Sequence, residues 1–298
     1  MSAVWLVTGR QEAGQAPLLP RYEAVVGPHV LDQLRQLAAP LQGAKVVHVN
    51  STRLGGGVAE ILEKLVPCMA ELGLEASWEV IDGTSDFFHV TKSMHNALQG
   101  HPVSIPEART RLFEDVNRDN AERLGETLRD ADYVFIHDPQ PAPLIGLVGE
   151  QRGRWVWRCH IDLSRPFRPV WSYLRRFVAQ YDASIFSLPQ FGQPLPHPVY
   201  IIPPSIDALS EKNIELGQEE IAATLERFGI DAARPVILQV SRFDRFKDPV
   251  GVIQAYRLAV SFVPDLQLVL AGGEATDDPE GESVLTEVRE AAADDPDV

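Results

Sequence analysis

The sequence predicts an α/β protein made of two doubly wound units, the second of them incomplete. Three observations carry that prediction. Apolar runs of strand length alternate with helical patterns along residues 45–202, as in a parallel sheet covered on both faces. The first of these strands runs through a glycine-rich turn into a helix within residues 45–72. The alternation then restarts after Pro203-Pro204-Ser205-Ile206-Asp207, where stiff prolines mark a boundary.

Residues 1–44 read as an N-terminal extension packing on the first unit, with an amphipathic stretch at 29–41. The first unit spans 45–207, with strands predicted at 45–49, 76–81, 133–137, 154–159, 183–187 and 199–202. Helices are predicted at 58–72, near 106–128 and at 170–181. In the first of them Ile61, Leu62, Leu65, Val66, Met69 and Leu72 recur at three- and four-residue steps. Pro67 removes a backbone donor there and is expected to bend the helix. Residues 208–298 hold a linker and the second unit, with a helical stretch at 218–228. A strand at 235–240, a helix at 249–262 and a strand at 267–270 follow. Only 68 residues run from Asp231 to Val298, where a domain of this kind uses about 100–150, so this unit is expected to lack its later part.

Composition narrows the function classes. At 45% hydrophobic and 23% charged, the 298 residues can bury a sizeable core. No apolar run approaches the roughly 18 residues of a membrane span. The N-terminus has no basic segment before its apolar run, so a cytoplasmic location without a signal peptide is expected. Cys68 and Cys159, far apart in apolar runs, read as reduced core cysteines. A net charge of −15 argues against nucleic acid or a membrane surface as partner. From Glu274 to Val298 ten acids face one base, Arg289, which leaves only −6 on the rest of the chain. The body is therefore mild enough to hold a basic pocket for an anion.

Four motifs could carry chemistry. Asn50-Ser51-Thr52-Arg53-Leu54-Gly55-Gly56-Gly57 joins a strand to a helix start, whose unpaired N–H groups suit a phosphate or sugar hydroxyl. A tight turn without a ligand is the alternative, because the Walker pattern is absent. His137-Asp138-Pro139-Gln140 and His160-Ile161-Asp162 each follow a predicted strand, where a His and an Asp can bind sugar hydroxyls or stabilise charge. A core His with a capping Asp is the alternative for each. Lys92, His95 and Asn96 lie at helical spacing, as binding groups or as a solvated face. Arg242 and Lys247, in Ser241-Arg242-Phe243-Asp244-Arg245-Phe246-Lys247-Asp248, follow a second-unit strand and suit a diphosphate. A solvated loop paired with Asp244 and Asp248 is the alternative. Trp155, Trp157, Trp171 and Tyr173 are expected in the core.

Taken together, residues 50–60, 87–100, 134–141, 157–164, 203–207 and 240–249 resemble the trehalose glycosyltransferring synthases. These are retaining GT-B enzymes of glycosyltransferase family 4, close to the trehalose phosphorylases. The resemblance implies two facing Rossmann-like lobes, acceptor glucose on the first and sugar nucleotide on the second. It implies transfer of glucose from UDP- or ADP-glucose to glucose, with retention, forming trehalose reversibly. By the same resemblance His160 and Asp138 are catalytic. Asp162, Lys92, Asn96 and Gln140 bind the acceptor sugar, while Gly56, Gly57, Arg242 and Lys247 bind the donor phosphates. No essential metal is implied, with magnesium at most stimulatory. The family's Glu-x7-Glu motif is missing, since Glu282 and Glu290 follow Gly273 too closely and read as surface acids. Weak or absent turnover of this chain is therefore expected. The alternatives are a trehalose phosphorylase and a non-catalytic sugar-binding protein that dimerises through an unpaired sheet edge.

Overall fold

The computed structural model describes residues 17–54, 56–272, 280–293 and 295–298. Gly55, Gly273 and part of the acidic run lie outside the described residues. The chain divides into two compact units, up to Ser210 and from Glu211 onward.

The first unit opens with α1 (Leu18–Val26) and α2 (Pro28–Ala38), helices for which only the second stretch carried a sequence signal. The α1 start is tied down by Glu71, whose carboxylate accepts from the N–H groups of Leu18 and Leu19 at 2.7 and 2.8 Å. Then follow β1 (Lys45–Asn50), α3 (Gly57–Glu71), β2 (Glu75–Val80), α4 (Ser85–Leu98), α5 (Glu107–Asp130) and β3 (Tyr133–His137). The short α6 (Leu144–Leu147), β4 (Arg154–Cys159), α7 (Arg168–Val178), β5 (Ala183–Phe186) and β6 (Val199–Ile201) complete it. The α3 helix is continuous across Pro67.

The six strands form one parallel sheet in the order β2-β1-β3-β4-β5-β6. From β1 the chain first winds outward to β2, then crosses back to place β3 on the other side of β1. The order therefore reverses between β1 and β3, the place where doubly wound sheets open a crevice at the carboxyl ends of their strands. Alternation across the pleat sends Val46 to one face and Val47 and Val49 to the other. On the first face Val46, Ala76 and Trp78 pack with Ala59, Leu62 and Val66 of α3. On the second, Val134, Ile136, Trp155 and Trp157 pack with side chains of α4, α5 and α7 in the main core. Trp157 stacks on Trp171 with ring centroids 6.3 Å apart, so the predicted tryptophans are core residues.

The second unit contains α8 (Gln218–Arg227), β7 (Val236–Val240), α9 (Pro249–Ala259), β8 (Gln267–Ala271) and α10 (Gly281–Ala292). Its two described strands pair in parallel. Ile253 and Tyr256 of α9 pack with Leu268 of β8 and with Val284 and Val288 of α10. Glu282 and Glu290 sit exposed on α10. Both cysteines are free, and among the described residues no helix is long and apolar enough to cross a membrane.

Candidate functional site

The strand order reverses beside three histidines. His48 lies on β1, His137 ends β3, and His160 follows β4. Because side chains alternate along strands, His48 faces the same side of the sheet as Val46, and His137 the same side as Phe135. The His48 ring stacks on Phe135 at 4.8 Å between centroids. Its Nδ1 lies 3.0 Å from His137 Nε2, and His137 Nδ1 lies 3.0 Å from His160 Nε2. His137 and His160 also stack, 14° from coplanar. His48 and His137 are buried, whereas His160 at the strand tip is half-buried.

Burial sets the charge of this row. Desolvation pushes the His48 imidazole down to about 3, with the Arg158 guanidinium adding to the effect. Desolvation also holds His137 well below its ordinary value, reinforced by its two histidine neighbours and Arg158. His160 is lowered too, chiefly by burial, with Asp138 opposing and Arg158 adding. All three rings are therefore neutral at pH 7.

Asp138 is held at this tip by three hydrogen bonds. Its backbone lies in the left-handed region at φ 62°, uncommon outside glycine but tolerated by Asp. Its N–H donates to the Arg158 carbonyl at 2.9 Å, and its own carbonyl accepts from Trp157 Nε1 at 2.9 Å. Oδ1 accepts from the His160 N–H at 2.7 Å. One carboxylate oxygen thus positions His160, and the other is not used in that bond. Asp162 resembles it in part: its Oδ1 closes a local turn onto the Ser164 N–H at 2.7 Å.

The remaining first-unit residues flank this tip or stand on α4. Gly56, at φ 82°, caps α3 without any side-chain cap, and a Cβ built at Gly56 or Gly57 meets nothing within 4 Å. Gln140 is anchored by its carbonyl, which accepts from Asn117 Nδ2 at 3.0 Å, while its buried Oε1 has no partner. Asn96 on α4 likewise has a buried Oδ1 without a partner. Lys92, half-buried one turn earlier on α4, is engaged in an interaction within the protein. A buried acceptor without a partner is costly.

In the second unit the loop after β7 is ordered by its own acids. Asp244 Oδ1 accepts from the Phe246 N–H at 2.8 Å, and Asp248 caps α9 through the Gly251 N–H at 3.1 Å. Arg245 of this loop is committed to carboxylates, reaching Glu287 at 2.5 and 3.1 Å and Glu280 at 3.0 Å. Arg242 is half-buried and engaged, whereas the Lys247 side chain is exposed. Among the described residues no group of three or more His, Cys, Asp or Glu side chains is arranged to hold a metal ion.

The sequence singled out His137, Asp138 and His160, and the structure joins them at adjacent strand tips. It missed His48, whose signal was a lone imidazole in an otherwise apolar strand. For His137 the sequence left a binding group and a core histidine both open, and the fold buries that ring between two others.

Comparison with known proteins places this architecture. A family model described as trehalose synthase, N-terminal domain, matches residues 48–193. The trehalose synthase of Thermococcus litoralis is 49% identical over 271 residues, covering 90% of this chain. The chain spans 65% of that relative's length. The trehalose synthase of Rubrobacter xylanophilus is 43% identical over 286 residues, covering 94% of this chain and 68% of the relative. Among solved structures, a UDP-forming α,α-trehalose-phosphate synthase from Burkholderia vietnamiensis superposes with a TM-score of 0.63 at 15% identity, covering 85% of this chain and 69% of that one. The fold is thus the α/β, GT-B-type fold expected from the sequence.

Proposed function

The chain belongs to the trehalose synthase family, and we propose that it serves a retaining glucosyl transfer from a nucleoside diphosphate glucose to glucose, forming trehalose. The observation that carries this reading is the Asp138–His160 pair at the strand-order reversal of a chain of that family. A neutral His160 donates one ring N–H to a sugar hydroxyl and the open Asp138 oxygen accepts from another, which orients acceptor glucose. The empty buried oxygens of Asn96 and Gln140 accept further hydroxyls. In the transfer, the bond from the donor's anomeric carbon to the phosphate oxygen breaks and a bond from that carbon to the acceptor hydroxyl oxygen forms. The hydroxyl proton leaves with the nucleoside diphosphate. Within the second unit, Arg242 and Lys247 are offered to that diphosphate. No step calls for a metal.

The test supplies 13C-glucose with UDP- or ADP-glucose, in EDTA, and follows the product by NMR, which registers even slow turnover. Labelled α,α-trehalose that depends on the nucleotide sugar is expected. Trehalose cleavage that depends on phosphate would favour a phosphorylase instead. Glucose binding without any affinity for the nucleotide sugar would favour a non-catalytic sugar-binding protein.

A further inference from the structure

We propose that His48 and His137 are positioning residues that hold His160 in one tautomer, with its proton on Nδ1. The argument begins with the two links, His48 Nδ1 to His137 Nε2 and His137 Nδ1 to His160 Nε2, each 3.0 Å. A neutral imidazole has one N–H and one lone pair, and every link needs one of each. His137 uses both of its nitrogens, so the choice made by one ring is forced on the other two. All three rings carry the proton on Nδ1, or all three carry it on Nε2.

Two observations choose between these. His48 Nε2 is buried with no hydrogen-bond partner. The Nε2–H arrangement would place an orphaned donor there, the rarer defect in folded proteins, whereas the Nδ1–H arrangement leaves only an unused lone pair. The Asp138 carboxylate, bound to the His160 backbone N–H, acts on the ring at the other end of the row, and a negative charge there favours the arrangement whose spare N–H belongs to His160. The other charge acting on the three rings is Arg158, which disfavours an added proton on each. His160 thereby keeps its Nδ1–H as a fixed donor. Its use on a sugar hydroxyl rests on the proposed glucosyl transfer; the tautomer does not.

The test is NMR of the chain labelled with 15N-histidine at pH 7, with signals assigned through single substitutions. His48, His137 and His160 are each expected to show a protonated Nδ1 and a bare Nε2. His48→Asn keeps a donor near the Nδ1 position and should preserve the His160 pattern. His48→Phe keeps the stacking on Phe135 but removes the donor, and His160 should then average between tautomers. In turnover, His48→Phe is expected to lower kcat about tenfold with KM little changed, and His48→Asn to restore it. A proton on His160 Nε2, or averaging already present in the unsubstituted chain, overturns the proposal even where the Phe variant fails to fold. Because the shifts are read without substrate, a locked His160 in a chain that transfers no glucose would sink only the functional reading. An averaging His160 in an active enzyme would sink only the lock.

Discussion

The sheets of the two units use similarly apolar strands and bury them differently. In the first unit β1 is buried from Val46 to Asn50, because α3 covers one face and the main core the other. In the second, β7 turns Ile237 toward the α9–α10 cluster, while Val236, Leu238 and Val240 on the opposite face are 43%, 58% and 74% exposed. A run of Val, Ile and Leu states a demand for two covering layers. Whether that demand is met depends on the rest of the fold. The same contrast explains where polar chemistry can be held. Neutral histidines at the reversal point need two covered faces around them, and every histidine and tryptophan of the chain lies before residue 211.

The largest effect expected from this contrast is in the covered sheet. Trp157→Ala removes a ring packed on Trp171 and Phe186 and should cost about 3–5 kcal/mol. Val240→Ala, on the open face of β7, should stay within about 0.5 kcal/mol. Urea unfolding read by tryptophan fluorescence follows the first unit, and circular dichroism follows both. Equal losses for the two substitutions would erase the distinction.

An acid dependence confined to the first unit comes next. His48 has its value lowered to about 3 in the folded chain, against about 6.5 when unfolded. Between those values the unfolded state binds a proton that the folded state does not. Stability is thus fully present above pH 6.5 and declines as pH falls, by up to about 1.4 kcal/mol per pH unit for this ring. His137 and His160, shifted in the same direction, add to the slope. Fluorescence-detected unfolding between pH 6.5 and 5 should show this decline, and His48→Phe should flatten it. The second unit has no histidine and should lack the effect in that range.

The smallest effect tests a feature that both units share. Thr84 caps α4 by accepting from the Phe87 N–H, and Asp248 caps α9. Thr84→Ala and Asp248→Ala should each cost about 1 kcal/mol in urea unfolding. Asp248→Gly should cost only a few tenths, since glycine adopts the φ of 48° at that position without strain.

Much of this molecule was legible before folding. Helix α3 could be read from its apolar spacing, β1 from its apolar run, and the strand tips at Asp138 and His160 from polar residues following apolar ones. The α4 helix was visible only as a spacing of Lys92, His95 and Asn96, and α10 not at all, because its acids mask a narrow apolar stripe at Val284 and Val288. His48 was overlooked since nothing local distinguishes a buried ring with a partner from a solvated one. Its partner is 89 residues away.

The sequence by itself determined the alternation of strands and helices, the glycine turn into α3, the family and the polar residues at the strand tips. These follow from periodicity and residue chemistry within a few residues of one another. Only the tertiary structure decided that Asp138 commits one oxygen to the His160 backbone, that Arg245 is clamped by Glu280 and Glu287, and that three histidines on or just after three strands form one row. The physical reason is that ring-to-ring hydrogen bonds and desolvation depend on strand order, which brings β1, β3 and β4 side by side across gaps that no local pattern records.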